Sequence, residues 1–109
     1  LYPSKKVLAI FQPHLFSRTR DFIEDFASSL SKFDEVLLLD IYPARELPIE
    51  GVDSTWLLSK MTNDKKELSK KENLIAAILS SDAEVIVTIG AGDIGEMVGT
   101  IKEALNEKN

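Results

Sequence analysis

Three nearly continuous apolar segments constrain the fold of this chain most strongly. They span residues 6–11, 35–41 and 84–89 of the 109-residue sequence. Apolar runs of this length are typical of strands buried on both faces of a sheet, whereas a strand with one solvated face alternates apolar and polar residues. Each run is followed within a few residues by Pro or Gly, which ends a strand. The sequence therefore predicts three buried strands.

Helical periodicity occupies the segments between these strands. After Ser17, a candidate N-cap, apolar residues recur at helical spacing as far as Leu30, which predicts one amphipathic helix of about four turns. The same spacing predicts further helices over residues 54–61, 72–79 and 94–105. Segment 62–70 is too polar to assign firmly, and a short exposed strand is one possibility. Strands that alternate with helices imply right-handed crossovers, hence an α/β fold with a mostly parallel sheet and helices on both faces.

Composition excludes several classes of protein. A net charge of −5 disfavours a nucleic-acid surface, and the absence of Cys removes disulfides, thiol catalysis and thiolate metal sites. No apolar run is long enough to span a membrane. The signatures of P-loop nucleotide triphosphatases, zinc hydrolases and serine hydrolases are absent. We therefore expect a cytoplasmic domain over residues 1–109, without nucleic-acid or membrane partners, catalytic residues or metal ligands of its own, and cut from a larger protein.

The turn after the first predicted strand is the leading candidate for a binding site. It contains His14, the only His, together with Arg18 and Arg20, two of the three arginines. Loops at the carboxyl ends of parallel strands line the ligand crevice, and guanidinium groups match carboxylates or phosphates. The alternative is structural, because acidic residues lie within helical reach of both arginines and would neutralise them in a salt-bridge network; these are Asp21, Glu24 and Asp25.

Two further turns follow buried strands. The sequence from Gly90 to Gly95 matches G-x-G-x-x-G, so Gly92 and Asp93 are candidates for contact with a ligand. A lone match after the last strand is weak, and the alternative is a tight strand-to-helix connection with Asp93 as N-cap. Arg45 follows the second strand and either faces the same crevice or pairs with Glu46 or Glu50. The lysines between residues 65 and 71 are interleaved with glutamates and predict a plain solvated surface.

Three motifs together resemble the C-terminal domain of the Mur ligases, and within that family the enzymes that act on L-alanine. The motifs occur in the family's order and span essentially the whole chain. They are Phe11-Gln12-Pro13-His14 with Ser17-Arg18-Thr19-Arg20-Asp21, then Asp40-Ile41-Tyr42-Pro43-Ala44-Arg45-Glu46, then Gly90-Ala91-Gly92-Asp93-Ile94.

The resemblance implies a Rossmann-like three-layer α/β/α domain, lacking here its first strand and helix and the family's upstream His-rich segment. It implies ATP-dependent amide formation, in which the carboxylate of UDP-N-acetylmuramate becomes an acyl phosphate that the amine of L-alanine attacks. ATP and Mg²⁺ would be bound mainly by a central domain that this sequence does not contain, and the domain that holds the UDP-sugar is absent as well. We therefore expect neither ATP nor Mg²⁺ to bind tightly to this fragment. The fragment alone is expected to be inactive.

The resemblance also implies roles for particular residues. His14 and Arg18 match family positions near the alanine carboxylate and the reacting phosphate. Many relatives carry an Arg where this sequence has Leu15, which would leave more of the charge to Arg18 or Arg20. Arg45 resembles, by its place after a strand, an Arg with which another Mur ligase recognises its amino acid, and the turn containing Gly92 and Asp93 matches a family loop beside that site.

Two alternatives remain open at this point. One is the ligase that recycles murein peptides by attaching a tripeptide to the same sugar nucleotide, although His14 favours the alanine enzyme. The other is a non-catalytic Rossmann-like module that binds a phosphorylated small molecule or a partner domain.

Overall fold

The computed structural model describes residues 6–90 together with Ile101 and Glu103. Within these residues four strands form one sheet: β1 (Val7–Gln12), β2 (Glu35–Leu38), β3 (Lys65–Leu68) and β4 (Val85–Gly90). The helices are α1 (Phe16–Asp21), α2 (Ile23–Leu30), α3 (Ser54–Lys60) and α4 (Leu74–Ser80), and a 3₁₀ turn over Lys71–Asn73 precedes α4.

The sheet has the order β3-β2-β1-β4, and every pair of neighbouring strands is parallel. This confirms the predicted α/β fold with helices on both faces. The polar segment left open by the sequence does contain a strand, the exposed β3 at one edge. The strands after β1 are added first on one side of it (β2 and β3) and then on the other (β4). Ligand crevices form at such a topological switch point, outside the carboxyl ends of the strands.

Strand β1 is the centre of the core, because it is buried along its whole length. Its residues alternate between the two faces of the sheet, as strand geometry requires. Ala9 and Phe11 pack with Ile23, Ala27 and Leu30 of α2 and with Leu57 of α3. Leu8 and Ile10 pack on the other face with Leu74 and Ile78 of α4 and with Ile101. The three-layer arrangement follows from these two hydrophobic clusters.

The predicted four-turn helix is wrong in one respect, because it is divided into α1 and α2 at Phe22. Phe22 has φ −118° and ψ 24°, outside the helical region, although its N–H still donates to the carbonyl of Arg18. Its side chain is 50% exposed, whereas the sequence placed it on the apolar face. After the break, α2 buries Ile23, Ala27 and Leu30.

The other helices agree with their sequence signals. Asp53 caps α3 by accepting a hydrogen bond from the backbone N–H of Trp56 at 2.8 Å. Helix α4 begins at Leu74, later than the predicted residue 72, because the 3₁₀ turn precedes it. The predicted last helix lies outside the described residues except for Ile101 and Glu103, which are helical.

Strand β4 corrects the prediction of a third strand buried on both faces. It lies at an edge of the described sheet, and its residues are only half-buried or exposed. The apolar run from Val85 to Ile89 predicts a strand correctly, but a strand's place within a sheet depends on its neighbours and is not encoded in its own residues.

Candidate functional site

The first candidate turn and the segment after β2 lie side by side where the carboxyl ends of the strands meet. We call this side of the sheet the carboxyl edge, and the side formed by the amino ends of the strands the amino edge. We call them the post-β1 loop (residues 13–15) and the post-β2 loop (residues 39–53). The N–H of Tyr42 donates to the carbonyl of Pro13 at 2.8 Å, and the N–H of Leu15 donates to the carbonyl of Tyr42 at 2.9 Å. The His14 ring stacks on the Tyr42 ring, with centroids 5.8 Å apart. Parallel pairing therefore continues beyond the strands and fixes the two loops together.

A carboxylate from the post-β2 loop binds the beginning of α1. Glu46 accepts one hydrogen bond from the backbone N–H of Ser17 at 3.1 Å and another from the Ser17 hydroxyl. These hydrogen bonds hold the pKa of the Glu46 carboxyl below its ordinary value. The predicted N-cap at Ser17 is therefore wrong: Leu15 occupies the cap position without a side-chain hydrogen bond, and Glu46 supplies the acceptor from a distant segment.

Each loop contains a residue whose backbone has a positive φ, a conformation that residues other than glycine rarely adopt. Leu15 has φ 70° and Ala44 has φ 53°, and they are the two non-glycine residues with positive φ in the described part of the chain. Such conformations cost about 1–3 kcal/mol each and persist where the surrounding structure imposes them. Their concentration in two facing loops supports a functional role for this edge.

The three arginines differ in their partners. Arg20 forms an ion pair with Asp21, with Nε and Oδ1 2.9 Å apart, and this pair raises the pKa of Arg20. The salt-bridge alternative is therefore correct for Arg20, although both side chains are exposed and the pair is weak. Arg18 and Arg45 are also exposed, but neither forms an ion pair with any described residue. The alternative in which Arg45 pairs with Glu46 or Glu50 is not observed among the described residues.

The structure explains why a glycine occupies position 90, the first glycine of the third motif. Its φ is 125°, and a Cβ at this position would lie 2.5 Å from the carbonyl oxygen of Gln12 on the neighbouring strand. Only glycine allows the two strands to approach so closely. Gly92 and Asp93, the predicted ligand contacts of this turn, lie outside the described residues.

An open groove of about 310 Å³ lies along the same edge, next to the paired loops. Its described lining residues are Gln12, Leu39, Asp40, Lys70, Lys71 and Glu72. The sequence predicted that Lys70 and Lys71 lie on a solvated surface, and both are exposed. It did not predict that they line a groove at the carboxyl edge. A signal was available, because both lysines lie shortly after the possible strand in segment 62–70, and the carboxyl ends of parallel strands share one edge. His14, Arg18 and Arg45 are not among the groove's described lining residues.

The arrangement is suited to an anion. Arg18 in α1 and Arg45 in the post-β2 loop have no acidic partner among the described residues, and guanidinium groups can bind a carboxylate or a phosphate through charge-assisted hydrogen bonds. Among the described residues there is no group of three or more His, Asp or Glu side chains arranged to bind a metal ion. The helices in the same part of the chain are too short or too polar to cross a membrane.

Comparison with known proteins gives a consistent result. The chain is 69% identical over 107 residues to the UDP-N-acetylmuramate–L-alanine ligase of Flavobacterium johnsoniae, and 69% identical over 108 residues to that of Flavobacterium psychrophilum. It is 48% identical over 106 residues to the ligase of the same name from Porphyromonas gingivalis strain W83. These matches cover 96–99% of this chain but 23–24% of each relative, so the chain spans about a quarter of their length. No model of a protein family matches the chain.

Proposed function

We propose that this chain, whose sequence belongs with the C-terminal region of UDP-N-acetylmuramate–L-alanine ligases, is the domain of such an enzyme that presents the amino acid. The observation that carries this proposal is 69% identity over 98% of the chain to a protein of that name. The product would be UDP-N-acetylmuramoyl-L-alanine, a precursor of peptidoglycan. This identity confirms the resemblance to the C-terminal domain of the Mur ligases that the three motifs indicate. The whole enzyme's activity and substrates remain part of the proposal.

The carboxyl edge would bind the carboxylate of L-alanine. Arg18 and Arg45 are the stronger candidates, because each is exposed and lacks an acidic partner among the described residues, whereas Arg20 is paired with Asp21. His14, held by its contact with Tyr42, would lie beside them. Gripping the carboxylate leaves the amine of the amino acid free to attack the activated carboxyl group of the sugar nucleotide, so the domain contributes by positioning. Gly92 and Asp93 remain proposed contacts on the basis of sequence.

ATP and Mg²⁺ would act in the whole ligase but bind mainly outside this chain. The sequence contains no G-x-x-x-x-G-K-[ST] loop, and the described residues offer no metal-binding group. The contribution assigned to this chain is restricted to holding the amino acid and closing the site against the UDP-sugar and central domains of the same protein.

The experiment is an assay of the full-length protein that contains this chain. We expect phosphate release that requires ATP, UDP-N-acetylmuramate and L-alanine together. With the 109-residue chain alone, the same mixture should give no sustained release. Sustained turnover by the isolated chain would contradict the proposed division of labour, and a preference for a murein tripeptide over L-alanine would assign the chain to the recycling ligase instead.

A full-length protein that binds phosphorylated small molecules but releases no phosphate with either amine substrate would favour the non-catalytic module. Isothermal titration with UDP-N-acetylmuramate, followed by the turnover assay on the same preparation, separates these possibilities.

A further inference from the structure

The post-β2 loop has few attachments near Arg45. On one side, Tyr42 is fixed to the post-β1 loop by two backbone hydrogen bonds. On the other, the Ser54 hydroxyl donates to the carbonyl of Leu39 at 2.5 Å and closes the base of the loop. Between these two points, the hydrogen bonds that join the loop to another element in the described part of the chain are those of the Glu46 side chain to Ser17 of α1. Leu47, the next residue, is 85% exposed.

Glu46 is therefore placed to decide where Arg45 lies. Without its carboxylate, the segment from residue 43 to residue 50 would keep two local turns: the N–H of Glu46 donates to the carbonyl of Pro43 at 2.8 Å, and the N–H of Val52 donates to the carbonyl of Ile49 at 3.0 Å. A turn of this kind fixes the local shape of the loop but not its position against α1. The left-handed conformation of Ala44, directly before Arg45, also requires a contact that maintains it.

The partner of Glu46 is equally informative. Ser17 directly precedes Arg18, so one contact joins the residue beside Arg18 to the residue beside Arg45. A Glu carboxyl is ionised at neutral pH, the hydrogen bonds from Ser17 lower its pKa further, and an ionised acceptor makes the stronger hydrogen bonds. The acid consequently serves as a link between two segments and leaves both neighbouring guanidinium groups without an acidic partner among the described residues.

We propose that Glu46 is a positioning residue, which, through its contact with Ser17, holds Arg18 and Arg45 in the mutual orientation that grips the carboxylate of the amino acid substrate. This inference rests on the proposed function and extends it to a residue that touches no substrate. Removing the carboxylate leaves both arginines present but moves the loop that carries one of them, so amino acid binding weakens while the sites for the other substrates are unaffected.

The test uses the full-length ligase with Glu46→Ala, and Glu50→Ala as the matched control. Glu50 is an exposed acid of the same loop without a described contact, so its removal changes the charge equally. We expect Glu46→Ala to raise the KM for L-alanine about tenfold, with the KM for ATP changed less than about twofold. Glu46→Gln, which keeps an oxygen acceptor, should restore part of the loss, and Glu50→Ala should behave as the unmodified enzyme.

A second arm tests whether Glu46 acts through the arginines. In an enzyme that already carries Arg18→Ala and Arg45→Ala, adding Glu46→Ala should raise the KM for L-alanine no further, since nothing remains to be positioned. A full additional tenfold effect there would overturn the proposal, as would equal effects of Glu46→Ala and Glu50→Ala.

If Glu46→Ala does not fold, Ser17→Ala and Glu46→Gln weaken the same contact from each side and give the same selective rise in KM on a smaller scale. A loss of thermal stability without a change in the KM for L-alanine would show a structural role only and refute the inference. The failure of the proposed function is distinguishable, because in that case the arginine variants would also leave the KM for L-alanine unchanged.

Discussion

The two edges of the sheet both carry charged side chains but use them differently. At the amino edge, Lys6 Nζ lies 3.0 Å and Lys65 Nζ lies 3.8 Å from the carboxylate of Asp82. Asp34 accepts a hydrogen bond from the N–H of Val7 at 2.8 Å, and Glu35 accepts one from the hydroxyl of Ser81 at 2.6 Å. At the carboxyl edge, Arg18 and Arg45 lack such partners among the described residues.

The comparison shows that the partner of a charge is more informative than the charge itself. Both edges are grooved, with cavities of about 310 Å³ at the carboxyl edge and about 190 Å³ at the amino edge. Cations at the amino edge are neutralised by the protein's own acids and contribute modestly to stability. At the carboxyl edge, Arg18 of α1 and Arg45 of the post-β2 loop have no acidic partner among the described residues, which is the arrangement expected where a ligand supplies the negative charge.

The largest effect is expected from breaking the carboxyl edge itself with Gly90→Ala. The added Cβ would meet the carbonyl oxygen of Gln12 at 2.5 Å and would strain a φ of 125°, so we expect a loss of about 3 kcal/mol or more in the free energy of unfolding. Gly51→Ala is the control, because it has φ 80° but nothing within 4 Å of the added Cβ. It should cost about 1 kcal/mol. Denaturant titration measures both, and equal losses would show that close packing at Gly90 is unimportant.

A second prediction sharpens the comparison within the carboxyl edge. In the full-length ligase, Arg18→Ala should lower kcat/KM for L-alanine about tenfold or more, as expected for a charge-assisted pair worth about 1.5–3 kcal/mol. Arg20→Ala should change it less than about twofold, because Arg20 is already paired with Asp21. Steady-state kinetics with L-alanine varied compare the two, and a larger effect at Arg20 would reverse the assignment.

The smallest effect is expected at the amino edge, from Asp82→Asn. Lys6 holds the pKa of Asp82 below its ordinary value, so this group contributes stability above its unfolded pKa and loses it as the pH falls through the lower folded pKa. Both partners are exposed, so the contribution is small and screened by salt. Melting curves between about pH 2 and pH 7 should show slightly weaker acid dependence in Asp82→Asn. An unchanged acid profile would mean that the pair contributes nothing, and altered kinetics for L-alanine would contradict the division between the edges.

The sequence predicted the elements of the fold better than their arrangement. Apolar runs and helical spacing located β1, β2 and α3, because those signals depend on residues close together in the chain. The order of strands does not, and β4 was therefore expected to be buried on both faces. The break at Phe22 was missed for a related reason, since the apolar spacing continues through it while the packing of Ile23 and Leu30 against the sheet fixes the direction of α2.

The sequence predicted which loops follow the strands but not the contacts between them. Placing His14, Arg18 and Arg45 at the carboxyl edge required only that each follow a buried strand. The partner of Ser17 could not be inferred, because Glu46 is 29 residues away and its nearer neighbour Arg45 offered a simpler ion pair. Local spacing cannot show which acids are already engaged, and this decides which arginines remain available.

The most direct test of the account compares two charge-matched double variants of the full-length ligase. Arg18→Ala with Arg45→Ala removes two cations from the carboxyl edge, and Lys6→Ala with Lys65→Ala removes two from the amino edge. We expect kcat/KM for L-alanine to fall about a hundredfold in the first and to change less than about twofold in the second. Equal losses in the two variants, or an unchanged value in the first, would contradict the claim that the carboxyl edge holds the amino acid.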